Sequence, residues 1–208
     1  LNIIPAVLSD NLNDYSKAYR LFEQMEGNDK VHIDIMDGVF VKTTSPDFES
    51  ILKIQTTLAK QVHLMVQEPL PYLELCLKYQ VDEVIVHLGT NYKDIDFTNY
   101  NFEIYFGVNP EDKFSQFEEL VEEATGFLLM TVHPGLQGQP FLPEELTKVE
   151  SIRNKGFGGK IIVDGSVNLD TINDVVKYDI DEAVVGSAII KKEDPIAAYN
   201  DLNKAVSD

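Results

Sequence analysis

Eight short apolar runs, separated by longer stretches of different period, limit the fold of this chain more than any other feature. They are Ile3 to Leu8, Val31 to Met36, Gln61 to Val66, Glu83 to His87, Glu103 to Val108, Phe127 to Val132, Lys160 to Asp164 and Glu182 to Val185. Their brevity and their Val and Ile content favour strands. Helical faces lie between them: Tyr15, Ala18, Tyr19, Phe22 and Met25; Phe114, Phe117, Leu120 and Val121; Leu142, Leu146, Val149 and Ile152, with Pro143 in the first turn; and Ile196, Tyr199, Leu202 and Val206. The stretch from Leu88 to Phe102 is short and polar, so an abbreviated crossover is expected there. Eight strand–helix units in 208 residues predict an α/β fold, a (β/α)8 TIM barrel spanning 1–208 as one domain. An open doubly wound sheet would need a glycine loop after its first strand, where this chain reads Leu8-Ser9-Asp10-Asn11.

Composition narrows the function. The 17 basic and 35 acidic residues give a net charge of −18, which disfavours nucleic acid and anionic membranes as partners. No apolar run reaches membrane-spanning length, and no signal segment opens the chain, so a cytoplasmic location is expected. The chain starts at Leu1 without Met, and one or more preceding residues are expected. The single cysteine, Cys76, excludes a disulfide framework.

Functional groups of a barrel gather at the C-terminal ends of its strands. Strand periodicity puts His32, Asp34 and Met36 on one face of the second strand and His63 with Met65 on one face of the third. The seventh strand ends in Asp164. Two imidazoles and two carboxylates converging at the mouth suit one divalent ion, Zn, Mn, Fe or Co, better than Ca. The alternative is hydrogen-bonded core histidines beside ion-paired carboxylates.

Glycines follow the last three strands: Gly135 and Gly138 after the sixth, Gly165 with Ser166 after the seventh, and Gly186 with Ser187 after the eighth. Close backbone approach, exposed N–H groups and a short helix starting near Ser187 suit a phosphate. Ordinary turns are the competing explanation. Met36, Met65 and Met130 sit near strand ends, where thioethers line a pocket without donating protons, or simply fill the core. His87 and Asn109-Pro110 are open to either a substrate contact or a loop cap.

Several segments together resemble the ribulose-phosphate 3-epimerase family. They are Pro5 to Ser9, His32 to Val41, Val62 to Val66, Val108 to Pro110, Met130 to Gly135, Gly138-Gln139, Val163 to Gly165 and Val185 to Ile189. The likeness runs from the first strand to the last. It implies an isomerase of carbohydrate metabolism, in the pentose phosphate pathway, acting on a phosphorylated ketose. By the same resemblance His32, Asp34, His63 and Asp164 are metal ligands, and Asp34 and Asp164 are the acid–base pair. Met36, Met65 and Met130 cap the reacting carbon. Ser9, Gly135, Gly138, Gly165, Ser166, Gly186 and Ser187 belong to the substrate and phosphate grip. A homo-oligomer, dimer or hexamer, is implied as well.

The chain departs from the family pattern at Ala6, usually Ser; at Thr43, usually Asn; at Gly89, usually Glu; and at Gln137 and Ser166, each usually Gly. Asp164-Gly165-Ser166 and Gly138 to Phe141 are also similar to the allulose-6-phosphate 3-epimerase branch. The expected reaction is interconversion of D-ribulose 5-phosphate and D-xylulose 5-phosphate by proton transfer at C3 through an enediolate. In the pentulose direction Asp34 is expected as base and Asp164 as acid. The alternatives are a D-allulose 6-phosphate 3-epimerase producing D-fructose 6-phosphate, or a barrel that has lost its chemistry. Decarboxylase and aldol-type relatives need a lysine beside the strand-end carboxylates, and none lies between His32 and Phe40; Lys42 follows the strand.

Overall fold

The apolar runs form parallel strands: β1 (Asn2–Val7), β2 (Lys30–Met36), β3 (Ala59–Met65), β4 (Glu83–His87), β5 (Glu103–Val108), β6 (Gly126–Met130), β7 (Lys160–Asp164) and β8 (Glu182–Val185). Each pairs with the next, and β8 pairs with β1 to close a (β/α)8 barrel. The computed structural model describes residues 1–135 and 138–207. Gln137, one of the departures noted above, lies outside the described residues. No helix among those described is long and apolar enough to cross a membrane.

Strand alternation creates two apolar layers. Val31, Ile33, Ile35, Val62, Leu64, Val84 and Val86 point outward into a buried cluster shared with Tyr15, Tyr19 and Phe22 of α1 (Leu12–Phe22) and Leu73 of α3 (Leu70–Lys78). Ala6, Ile85, Tyr105, Leu128, Met130, Ile162 and Val184 fill the barrel interior as a second cluster. Truncating a fully buried outer-layer side chain such as Leu73 to Ala costs about 2–5 kcal/mol. Asn11 caps α1 by accepting the Asn13 N–H at 3.0 Å.

The remaining helices are α2 (Phe48–Leu52), α4 (Thr147–Asn154), α5 (Ile172–Val175), α6 (Ser187–Ile190) and α7 (Pro195–Ala205). Pro143–Leu146 forms a 3₁₀ turn that runs into α4, and α6 starts at Ser187 as the glycine pattern predicts. The crossover after β4 is reduced to a 3₁₀ turn at Phe97–Asn99. The face built on Phe114, Phe117, Leu120 and Val121 is not one helix. It splits at Phe117 into 3₁₀ segments Phe114–Gln116 and Glu118–Glu122. Like charges four apart, Glu118 with Glu122 and Glu119 with Glu123, oppose a continuous helix, while Phe117 still reaches the core. The sixth strand ends at Met130, two residues short of the apolar run, where the chain turns toward Pro134-Gly135.

Candidate active site and metal centre

β2 and β3 pair with Asp34 beside His63 and Met36 beside Met65, so the inward-facing residues of two strands form adjacent rows. Asp164 ends β7, three strands round the barrel from β2, and its Cα partner on β6 is Met130. Four donor atoms meet there. His63 Nδ1 lies 3.0 Å from Asp34 Oδ1 and 3.4 Å from Asp164 Oδ2, and His32 Nε2 lies 3.4 Å and 3.8 Å from the same two oxygens. The two ring nitrogens are 3.3 Å apart.

Ligands at about 2.0–2.1 Å from a tetrahedral Zn stand about 3.3 Å from one another. The separations, 3.0 to 3.8 Å, bracket that edge length, and all four atoms lie within 4.8 Å of each other. His32 and His63 are wholly buried and Asp34 nearly so. The donor set fits one divalent ion. The electrostatics agree with that fit. Burial opposes the charge on Asp34, but hydrogen bonds from His32 and His63 outweigh it and hold the carboxyl well below its usual range. Burial likewise disfavours the His63 imidazolium, yet its bonds to Asp164 and Asp34 push its pKa up to about 9. A cluster that retains a proton so firmly is one that attracts positive charge.

The four donor residues are held from behind. His63 Nε2 faces His87 Nε2 at 2.7 Å, and His32 Nδ1 faces Gln61 Oε1 at 2.6 Å. The Asp34 carbonyl accepts from Ser45 Oγ at 3.2 Å and Tyr15 Oη at 3.4 Å. Thr131 fixes the other wall: its N–H donates to the Asp164 carbonyl at 2.7 Å and its hydroxyl to the Gly165 carbonyl at 2.7 Å. Gly165 has φ +125°, and a Cβ there would come within 2.7 Å of Val132 Cγ2, so only glycine lets this turn pass. Ser166 follows with φ +53°, a conformation better suited to glycine.

One cavity over the cluster is lined by Asp34 and Asp164, by Met65 and Met130, and by Gly135, Gly138, Gly165, Ser166, Gly186 and Ser187. Ala6 lies in its wall, where its methyl offers no hydrogen bond. Met36 and Ser9 border an adjoining recess with Lys42, Thr43 and Gly135 instead. The Ser9 hydroxyl is engaged locally, donating to Asp14 Oδ2 at 2.8 Å and accepting from the Asn11 N–H at 3.1 Å. Thr43 ties the loop after β2 to the loop after β6 through a 2.8 Å bond to the Gly135 carbonyl. His87 is buried under Phe40, with ring centroids 5.0 Å apart, and it contacts His63 rather than the cavity.

Gln61, Thr131 and Ser45 belong to no motif that marks them in the sequence. Gln61 had a usable signal: it is polar, opens an apolar run, and lies two residues before His63 on the same face.

Comparison with known proteins agrees with this geometry. The family model described as "Ribulose-phosphate 3 epimerase family" matches residues 2–190. Ribulose-phosphate 3-epimerase of Bacillus subtilis (strain 168) is 29% identical over 214 residues, covering 97% of this chain and 98% of that protein. The protein of the same name from Mycobacterium bovis is 27% identical over 213 residues, covering 97% and 91%. Among solved structures, KGPDC from Streptococcus mutans in complex with D-R5P superposes with a TM-score of 0.76 at 12% identity, covering 99% of this chain and 97% of that one. 3-Hexulose-6-phosphate synthase from Salmonella typhimurium gives 0.73 at 17%, covering 100% and 99%. At those identities the two structures speak for the barrel alone. The family match, which takes in β1 through α6 and with them every residue of the four-ligand cluster, goes further: this chain belongs to the ribulose-phosphate 3-epimerase family.

Proposed function

We propose that the protein is a metal-dependent 3-epimerase of ketose phosphates that interconverts D-ribulose 5-phosphate and D-xylulose 5-phosphate. The observation that carries the reading is the pair of carboxylates, Asp34 on β2 and Asp164 on β7, lining one cavity and sharing a centre with His32 and His63.

Inverting C3 of a 2-keto sugar requires removing a proton from one face and returning one to the other. Asp34 takes the C3 proton of the pentulose, and Asp164 delivers a proton to the opposite face; the reverse reaction exchanges their roles. His32, His63, Asp34 and Asp164 hold the ion, whether Zn, Mn, Fe or Co. When bound, it supplies positive charge that offsets the negative charge developing on the substrate oxygens. Met65 and Met130 exclude water from the reacting carbon and offer no competing proton. The backbone around Gly165, Ser166, Gly186 and Ser187 takes the phosphate through N–H donors, which act at short range despite the net charge of −18.

The test offers ribulose 5-phosphate and allulose 6-phosphate side by side to protein loaded with each metal in deuterated water. Xylulose 5-phosphate carrying deuterium at C3 is expected, with the pentulose as the faster substrate. Faster turnover of the hexulose would move the substrate to the six-carbon class. Silence on both by metal-loaded protein would overturn the reading.

A further inference from the structure

The N-terminal half of the barrel interior is charged, which is uncommon for a packed barrel core. Glu83 and Glu182 are buried there with Gln61. Lys30 Nζ reaches Glu83 Oε1 at 2.7 Å and Glu182 Oε1 at 2.6 Å, and Lys160 Nζ reaches the same two atoms at 2.8 and 3.2 Å. Two cations against two carboxylates make the group neutral overall. Burial opposes the charge on Glu83, but hydrogen bonds from Lys160 and Lys30 outweigh it and keep its carboxyl below the ordinary value.

The second oxygen of each carboxylate faces Gln61. Nε2 of Gln61 donates to Glu83 Oε2 at 2.5 Å and to Glu182 Oε2 at 2.9 Å. Ionised carboxylates only accept hydrogen bonds, so both N–H bonds of the amide are committed to them. A flipped amide would set its oxygen against two anionic oxygens. Oε1 is therefore the atom left for His32, 2.6 Å from Nδ1, and it can only accept. Nδ1 must carry the ring proton. In the neutral ring, Nε2, the nitrogen facing Asp34, His63 and Asp164, is then the one with a lone pair.

We infer that Gln61 is a positioning residue: its amide, held one way round by Glu83 and Glu182, keeps His32 in the Nδ1–H tautomer with Nε2 ready to bind metal. The inference rests on the cluster being a metal site, as proposed above. Partners behind metal-bound histidines typically change affinity about 10–100-fold when removed.

The test measures Co²⁺ affinity, by chelator competition and by the visible bands of bound Co²⁺, for the full chain and two variants. Gln61→Leu removes the acceptor and should weaken Co²⁺ by at least about 10-fold. Gln61→Glu keeps an oxygen toward Nδ1 while sharing a proton with Glu83 or Glu182, and should bind within about threefold of the wild type. If Gln61→Leu, folded by circular dichroism, binds Co²⁺ as tightly as the wild type, Gln61 is only a space-filler and the inference fails. Should Gln61→Leu not fold, the ring tautomer decides. Nitrogen-15 spectra of the Zn-loaded wild type, which has 4 histidines to resolve, should show the His32 proton on Nδ1; a proton on Nε2 overturns the inference. A wild type that binds neither ion removes the metal reading itself and this inference with it.

Discussion

His63 Nε2 stands 2.7 Å from His87 Nε2, so the cluster imidazole on β3 is braced by a histidine on β4. Burial, reinforced by the charge on His63, holds the His87 pKa well below its usual value, so the ring is neutral and can accept. His63 then donates from Nε2, which leaves Nδ1 toward the cluster. Gly107 on β5 makes the arrangement possible: a Cβ there would fall 2.9 Å from the His87 ring. Gly107→Ala should push the imidazole off His63, destabilise the fold by about 1–3 kcal/mol and weaken Zn binding. Chemical denaturation and chelator competition read the two effects; an unchanged Zn affinity would show that His87 braces nothing.

His63 also sets the pH response of the metal-free protein. Its folded pKa is raised to about 9 from an ordinary value near 6.5. The stability it contributes is fully present below about pH 6.5 and is lost as pH rises through about 9. Asp34 behaves oppositely: its depressed pKa contributes above about pH 4, and that contribution is lost as pH falls further. A divalent ion competes with the His63 proton. The rise in Tm on adding Zn should therefore grow between about pH 6.5 and 9, and a shift that shrinks across that window would contradict the assignment of His63 as a ligand.

Gly165→Ala should disturb chemistry through the backbone. With φ +125° and a 2.7 Å approach to Val132 Cγ2, the added methyl strains the turn that follows Asp164. The expected cost is about 1–3 kcal/mol in stability, with a drop in kcat/KM exceeding that of Gly158→Ala, whose φ is not positive and whose Cβ would meet nothing within 4 Å. Steady-state kinetics of the two variants compares them directly.

The barrel was legible because its strands are short, apolar and regularly spaced, and because His32, Asp34 and Met36 interrupt β2 at period two. The same period exposes Asp164 at the end of β7. The support behind these residues was less visible. Gln61, Glu83 and Glu182 come together only when β8 closes against β1, a relation that spans 121 residues between Gln61 and Glu182. Thr131 acts through main-chain atoms of Asp164 and Gly165, which no side-chain pattern records. The helical face after β5 misled because its apolar spacing fits a helix while its glutamates repel along one.

The central claim is that two carboxylates work on opposite faces of C3. It is tested most directly by Asp34→Asn and Asp164→Asn, each with its bound metal quantified, given ribulose 5-phosphate in deuterated water. Conversion to xylulose 5-phosphate should fall by about 10²–10⁴-fold or more in each. Metal-loaded Asp164→Asn should still exchange the C3 hydrogen of ribulose 5-phosphate, because Asp34 can remove and return a proton on its own face. Near-normal epimerisation by either variant would contradict the account.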